Sequence, residues 1–133
     1  MPCYPNNMNE SSKKPETTRS LGKRAEEAVS DFLSQKGLRE ITRNYRVNRI
    51  GEIDLIFKRK HVLYFVEVRL RKSNSNFGGP EDTIDAYKRK KVYLAANHFV
   101  QSYRMTEYDM EFWAACVRYT PGIPVLHAEF RPF

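Results

Sequence analysis

The chain has 133 residues, of which 41% are hydrophobic and 13% aromatic, and it carries 23 Lys and Arg against 16 Asp and Glu. This length and apolar content fit one packed domain, and they argue against a second domain and against a wholly disordered polymer. The formal net charge of +7 predicts attraction to polyanions, with nucleic acid as the leading candidate. A small basic protein that is merely soluble is the alternative that charge alone leaves open.

The cysteine content and the hydropathy of the chain indicate in which cellular compartment the protein is expected. Cys3 and Cys116 show neither a disulfide framework nor the spacing of a zinc site. No apolar run approaches the roughly 20 residues that cross a bilayer, and the first residues lack the apolar region of a signal peptide. We therefore expect a protein of the reducing cytoplasm with no membrane segment.

The first part of the chain divides into a tail and a helix. Residues 1–19 are rich in Pro, Asn, Ser, Thr and charge, which predicts a disordered tail and leaves 20–133 as a single domain. Over 22–36, apolar residues recur at the spacing of one helix face, and Gly37 supplies a stop. Glu26 lies at the edge of this apolar stripe and is expected to face inward, whereas Glu27 points away from it.

The rest of the chain alternates extended segments with one more helix. Segments 38–47, 51–57 and 62–70 predict a β-meander. A second helix is predicted from about Glu81 to Tyr103, with Lys88 on its apolar face. Segments 111–119 and 125–130 flank a Thr-Pro-Gly break and predict a closing hairpin. The order αβββαββ predicts an α/β or α+β fold, with a mixed sheet flanked by helices.

One face of the third predicted strand begins with the apolar residues Leu63 and Phe65 and continues with the charged residue Glu67. A carboxylate there is partly desolvated, which is unfavourable unless a cation or donor meets it. If the preceding hairpin is centred between Lys60 and His61, Asp54 stands opposite Glu67, and a divalent cation would relieve their repulsion. Mg²⁺ takes such oxygen ligands, and Glu26 could complete the set, so hydrolysis of a phosphodiester is a natural activity.

Other interpretations of these charges stay open. Glu67 could pair with Arg69 or Arg71, and Asp54 with Arg49, which would give nothing more than salt bridges at the end of a sheet. The basic residues of the second helix could hold phosphate oxygens, or they could form an ordinary solvated helix face. The predicted nucleic-acid contacts are Arg71, Lys88, Arg89 and Lys91.

Five stretches of the sequence resemble the YraN-like family of bacterial proteins over about residues 22–100: LGKRAEEAV, RNYR, GEIDLI, FVEVRLR, and FGGPEDTID leading to Lys88. The resemblance implies a branch of the PD-(D/E)xK superfamily related to Holliday-junction resolvases. It therefore implies a restriction-endonuclease-like fold, a Mg²⁺ or Mn²⁺ cofactor, and DNA rather than RNA as the partner. Because resolvase-like relatives often pair, a homodimer is a further expectation.

The resemblance also implies roles for individual residues. Asp54 corresponds to the motif aspartate and Glu67 to its acidic partner, both catalytic and metal-binding, while Glu26 matches the helix glutamate and the Val68 carbonyl is a further candidate ligand. Arg69 stands where the family has the lysine of FVEVK, and arginine can hold phosphate but cannot accept a proton. We therefore expect a metal-dependent endonuclease acting on structured DNA, with Arg69 stabilising charge. The alternative is a catalytically weakened nucleic-acid-binding module on the same fold.

Overall fold

A computed structural model of the protein describes residues 16–73 and 84–133. Its elements follow the predicted order αβββαββ: α1 Thr18–Gln35, β1 Arg39–Val47, β2 Gly51–Arg59, β3 Val62–Lys72, α2 Ala86–Ser102, β4 Asp109–Tyr119 and β5 His127–Pro132. The fold is α+β, with one five-stranded mixed sheet. Neither of the helices in the described ranges is long and apolar enough to cross a bilayer.

Side-chain caps set the start of both helices. Thr17 accepts a hydrogen bond from Ser20 N at 3.1 Å, so α1 begins at Thr18, earlier than predicted and inside the last residues of the predicted tail. Residues 1–15, the rest of that tail, lie outside the described residues. Asp85 accepts a hydrogen bond from Lys88 N at 2.8 Å, so α2 begins at Ala86 rather than near 81. Each cap satisfies a backbone donor that the first helical turn leaves unpaired.

The sheet has the strand order β1-β2-β3-β4-β5. The first three strands form an antiparallel meander and the last two an antiparallel hairpin, as predicted, while β4 lies parallel to β3. In the β2–β3 hairpin, Arg59 pairs with Val62 and Leu55 with Val66. The turn is therefore centred between Lys60 and His61, which confirms the predicted register.

The two helices cover opposite faces of the sheet. The cluster beneath α1 includes Leu55, Phe57 and Val66, whereas the cluster beneath α2 includes Ile53, Ile56, Leu63 and Phe65. Ile53 and Ile56 share a face although they are three positions apart, so β2 departs from strict alternation around Asp54. The irregularity lies between Ile53, beneath α2, and Leu55, beneath α1, because strict alternation would place these two residues on the same face.

Helix α2 passes very close to the start of β2 at Gly51. A Cβ atom added there would lie 2.8 Å from the backbone oxygen of Lys91, a separation that real side chains essentially never show. A glycine is therefore needed for this approach. The contact holds the first turns of α2, including Lys88, over the β2–β3 hairpin.

Candidate functional site

Asp54 and Glu67, which stand on the paired strands β2 and β3, bring their carboxyl groups together beneath α2. Desolvation raises the pKa of Glu67 to about 8, and the second largest cause of this rise is the negative charge of the neighbouring Asp54. Desolvation also raises the pKa of Asp54, partly offset by the hydrogen bond from the Val68 amide and by the charge of Lys88. The predicted convergence of these two acidic side chains is therefore what the fold produces.

The backbone of β3 fixes the Asp54 carboxylate. Val68 N donates a hydrogen bond to Asp54 Oδ2 at 2.8 Å, so a side chain takes the place of a backbone carbonyl as acceptor. Across β1, Asn44 has a φ of 54°, and Arg43 and Tyr45 on either side of it pair with Leu55 and Ile53. The backbone of β1 is thus irregular beside Asp54, whose carboxylate turns toward β3.

Glu67 is buried because β3 runs beneath α2 at this point. Leu63 and Phe65 precede it on the same face and are fully buried, and Glu67 itself is 3% exposed. Within the described part of the chain, Glu67 Oε1 is a buried oxygen with no hydrogen-bond partner. A buried acceptor without a partner is unfavourable by about 1–3 kcal/mol, so it marks a place where a further donor or a cation fits.

The sequence predicts that a cation or a hydrogen-bond donor meets Glu67, and in the structure this group is the ammonium of Lys88. Its Nζ lies 3.4 Å from Glu67 Oε2, and its side chain is 45% exposed whereas that of Glu67 is 4% exposed. The ammonium group therefore bridges the buried carboxylate and the solvent. The sequence predicts Lys88 as a nucleic-acid contact, and its salt-bridge alternative pairs Glu67 with Arg69 or Arg71 instead.

Glu26 approaches the pair from the other helix. Its pKa is raised by desolvation and then by the charge of Asp54, while a hydrogen bond with the Asn44 side chain and the charge of Arg43 oppose the rise. Glu26 is thus near enough to Asp54 for their charges to interact, as its inward orientation predicted. Among residues 16–73 and 84–133, however, no three His, Cys, Asp or Glu side chains form a group that could hold a metal ion.

The remaining predicted residues are spread along β3 and α2. Arg69 follows Glu67 by two positions and pairs in register with Cys116 of β4. Arg71 lies about 13 Å beyond Glu67 at about 3.3 Å per residue, and its Nη1 donates to Leu70 O at 2.9 Å. Arg89 is half-buried on α2. Lys91 stacks its ammonium over the Tyr87 ring, 4.9 Å from the ring centroid.

Sequence reasoning missed an open cleft that lies next to the carboxylate pair. It has a volume of about 360 Å³, and its charged lining residues are Arg46, Arg49, Glu52, Lys88 and Lys91. We call it the basic cleft. The signal for it is the pair Arg46 and Arg49 around the turn before GEIDLI, of which only Arg49 enters the sequence-based interpretation, as a salt-bridge partner of Asp54.

The described donors suit a hard divalent cation. Mg²⁺ is commonly bound through one or two carboxylates together with water and phosphate oxygens, and Asp54 and Glu67 supply two carboxylates. Both carboxyl groups are desolvated, and Glu67 Oε1 has no hydrogen-bond donor among the described residues, so a positive ion bound by the pair would offset an unfavourable burial.

Comparison with known proteins identifies the family. The family described as "Uncharacterised protein family UPF0102" matches residues 25–119. A UPF0102 protein of Methylobacillus flagellatus is 47% identical over 83 residues, which are 62% of this chain and 72% of that protein. One from Legionella pneumophila is 41% identical over 90 residues, 68% of this chain and 75% of that protein. One from Alkaliphilus metalliredigens is 34% identical over 95 residues, 71% of this chain and 82% of that protein.

The matched residues include all the chemistry described above. Residues 25–119 contain Glu26, Asp54, Glu67 and Lys88, together with the basic cleft. The chain belongs to the uncharacterised protein family UPF0102, the YraN-like family that its motifs resemble.

Proposed function

We propose that this protein is a metal-dependent endonuclease that hydrolyses phosphodiester bonds in structured DNA. The observation that carries the proposal is the desolvated pair of neighbouring carboxyl groups, Asp54 and Glu67. Among the described residues Glu67 Oε1 has no hydrogen-bond donor, and Lys88 Nζ lies 3.4 Å from Glu67 Oε2. Keeping two carboxyl groups and a cation at the edge of an apolar core is unfavourable for stability. A functional role explains why such an arrangement is present.

The proposed ligands of a Mg²⁺ or Mn²⁺ ion are Asp54 and Glu67, with Glu26 and the Val68 carbonyl as further candidates. Such an ion, when bound, polarises the scissile phosphate and lowers the pKa of a bound water. Asp54 is already oriented for this task, because Val68 N holds one of its oxygens. Leu63 and Phe65 exclude water from the inner side of Glu67, which strengthens every charge interaction there.

Lys88 provides positive charge where the substrate arrives. Its ammonium contacts Glu67 while remaining about half exposed, so it can meet a phosphate oxygen without leaving the carboxylate. We assign to Lys88 part of the charge stabilisation at the scissile phosphate, alongside Arg69. Arg69 remains the proposed second cation, suited to hold phosphate through its planar fork.

The test is cleavage of branched, nicked and single-stranded DNA by the full chain in Mg²⁺ or Mn²⁺. We expect the wild type to cut at least one of these substrates, and Asp54→Asn to abolish cutting while leaving the protein folded. Asp109→Asn is the matched control, because the Asp109 side chain is exposed and lies 3.4 Å from the equally exposed His61 ring, away from the carboxylate pair. Equal activity of the two variants would refute the proposed role of Asp54.

A second candidate function is nucleic-acid binding without cleavage on the same fold. Arg69 favours it, because a permanently protonated side chain stands where the family motif has a lysine. The same assay separates the two functions: tight binding without cutting, under every metal condition, supports the second. If Arg69 is what suppresses cleavage, Arg69→Lys should raise the rate, and an unchanged or lower rate counts against that explanation.

A further inference from the structure

The basic cleft has a surplus of positive charge and adjoins the carboxylate pair. Its charged lining consists of four cationic side chains and one acidic side chain. The acidic one, Glu52, lies 3.5 Å from Arg46 in a pair whose arginine is 74% exposed. Exposed pairs of this kind contribute little. The four cations and one carboxylate of the lining leave a formal excess of three positive charges. A concave surface with such a surplus concentrates anions.

Two structural features hold the cleft in shape. The turn between β1 and β2 is closed by Ile50 N donating to Val47 O at 3.0 Å, and it places Arg49 at a φ of 66°. On the opposite wall, Gly51 lets α2 approach the strand so closely that Lys91 backbone atoms would meet any Cβ. The cations of the turn and the helix therefore face one space because of backbone packing, and not through chance side-chain positions.

The cleft is continuous with the site at two residues. Lys88 lines the cleft and also contacts Glu67. Glu52, another lining residue, stands two positions before Asp54 on β2. An anion in the cleft would consequently lie beside whatever occupies the carboxylate pair.

We infer that the basic cleft binds a phosphodiester group of a nucleic-acid strand, next to the phosphate that lies at Asp54 and Glu67. Arg49 and Lys91 are the principal contacts and Lys88 is shared between the two positions. This inference rests on the proposed function for the identity of the neighbouring phosphate, but the binding it describes does not require cleavage. It assigns a function to Arg46 and Arg49, which the carboxylate chemistry does not use.

The test compares two double variants that remove the same charge. Arg49→Asn with Lys91→Gln removes two cations from the cleft, whereas Lys60→Asn with Lys90→Gln removes two from outside it. Arg49 and Lys60 both occupy turns with positive φ, 66° and 55° respectively, a conformation that asparagine tolerates. Lys90 is the exposed neighbour of Lys91 on α2, about 100° around the helix.

Binding of the full chain to labelled single-stranded and duplex oligonucleotides is measured by anisotropy in EDTA over a series of salt concentrations. We expect the cleft variant to bind about tenfold more weakly than the control variant, and its log–log salt slope to fall by about one to two as phosphate contacts are lost. Circular dichroism checks that both variants are folded. Equal affinities and slopes for the two variants would overturn the inference.

Two further measurements distinguish phosphodiester binding in the cleft from the binding of free anions and from the proposed cleavage activity. Inorganic phosphate is titrated as the probe for a site that takes free anions, and saturable binding of phosphate without binding of either oligonucleotide would also overturn the assignment. Cleavage is assayed separately in Mg²⁺. If the wild type never cuts and the cleft variant binds more weakly than the control variant, the proposed function is refuted and phosphodiester binding in the cleft is supported. If the wild type cuts and the two variants bind equally well, the proposed function is supported and binding in the cleft is refuted.

Discussion

The buried Glu67 carboxyl should make the stability of the metal-free protein fall as the pH rises. Its pKa is raised from 4.5 to about 8 by desolvation and by the charge of Asp54. Between these values the folded state keeps a proton that the unfolded chain releases. The stabilising contribution is therefore complete below about pH 4.5 and is lost as the pH approaches 8. At about 1.36 kcal/mol per pH unit the full difference is about 5 kcal/mol, and relaxation around the ionised group reduces it to about 2–5 kcal/mol.

Replacing Glu67 by glutamine removes this titration with little change of shape. Urea denaturation in EDTA at several values between pH 5 and 8.5 should give similar stability for the two proteins at the acidic end. At the alkaline end the variant should be the more stable by about 2–5 kcal/mol. Glu107→Gln, at an exposed position, should follow the wild-type curve. If Glu67→Gln retained the full wild-type slope, the carboxyl would not be titrating as a desolvated group.

Three further predictions concern the metal, the close helix contact and the site lysine. At pH 8, Mn²⁺ at 100 times its Kd should stabilise the folded wild type by about 2.7 kcal/mol, which is measured as a rise in Tm. Asp54→Asn should abolish this rise, and an equal rise in the variant would exclude Asp54 as a ligand. Gly51→Ala should lower the free energy of unfolding measured in urea by about 1–3 kcal/mol. Gly22→Ala, in open space on α1, should raise it by about 0.5–1 kcal/mol. Equal effects of the two substitutions would contradict the close approach of Lys91 to Gly51. Lys88→Met should lower the cleavage rate about hundredfold and raise the pKa of Glu67 further, whereas unchanged kinetics would remove Lys88 from the site.

The convergence of Asp54 and Glu67 could be predicted because it depends on local rules. Alternation along β3 placed Glu67 on the face of Leu63 and Phe65, and a tight hairpin fixed which residue of β2 lies opposite. Both rules act over short sequence distances. The register was therefore accessible from sequence, even though the exact path of β2 at Asp54 was not.

Other parts of the site depend on contacts between distant segments. The position of Lys88 over Glu67 follows from the packing of α2 against the start of β2, which Gly51 permits, and nothing in local periodicity specifies that distance. The basic cleft arises in the same way, because Arg49 and Lys91 belong to elements far apart in the chain. The hydrogen bond from Val68 N to Asp54 was also inaccessible, since alternation assumes backbone pairing throughout.

The parallel pairing of β3 with β4 has a consequence for the order of folding. Val62 and Asp109 are partners, so this ladder closes only after the long intervening segment has been made, and closing a long loop is entropically unfavourable and slow. The β2–β3 hairpin, by contrast, joins neighbouring segments through a short turn, so the entropic cost of closing it is small. Until α2 covers the hairpin, Asp54 and Glu67 of a nascent chain are water-exposed carboxylates, so the desolvation that raises their pKa values arises only after the residues of that helix have been translated.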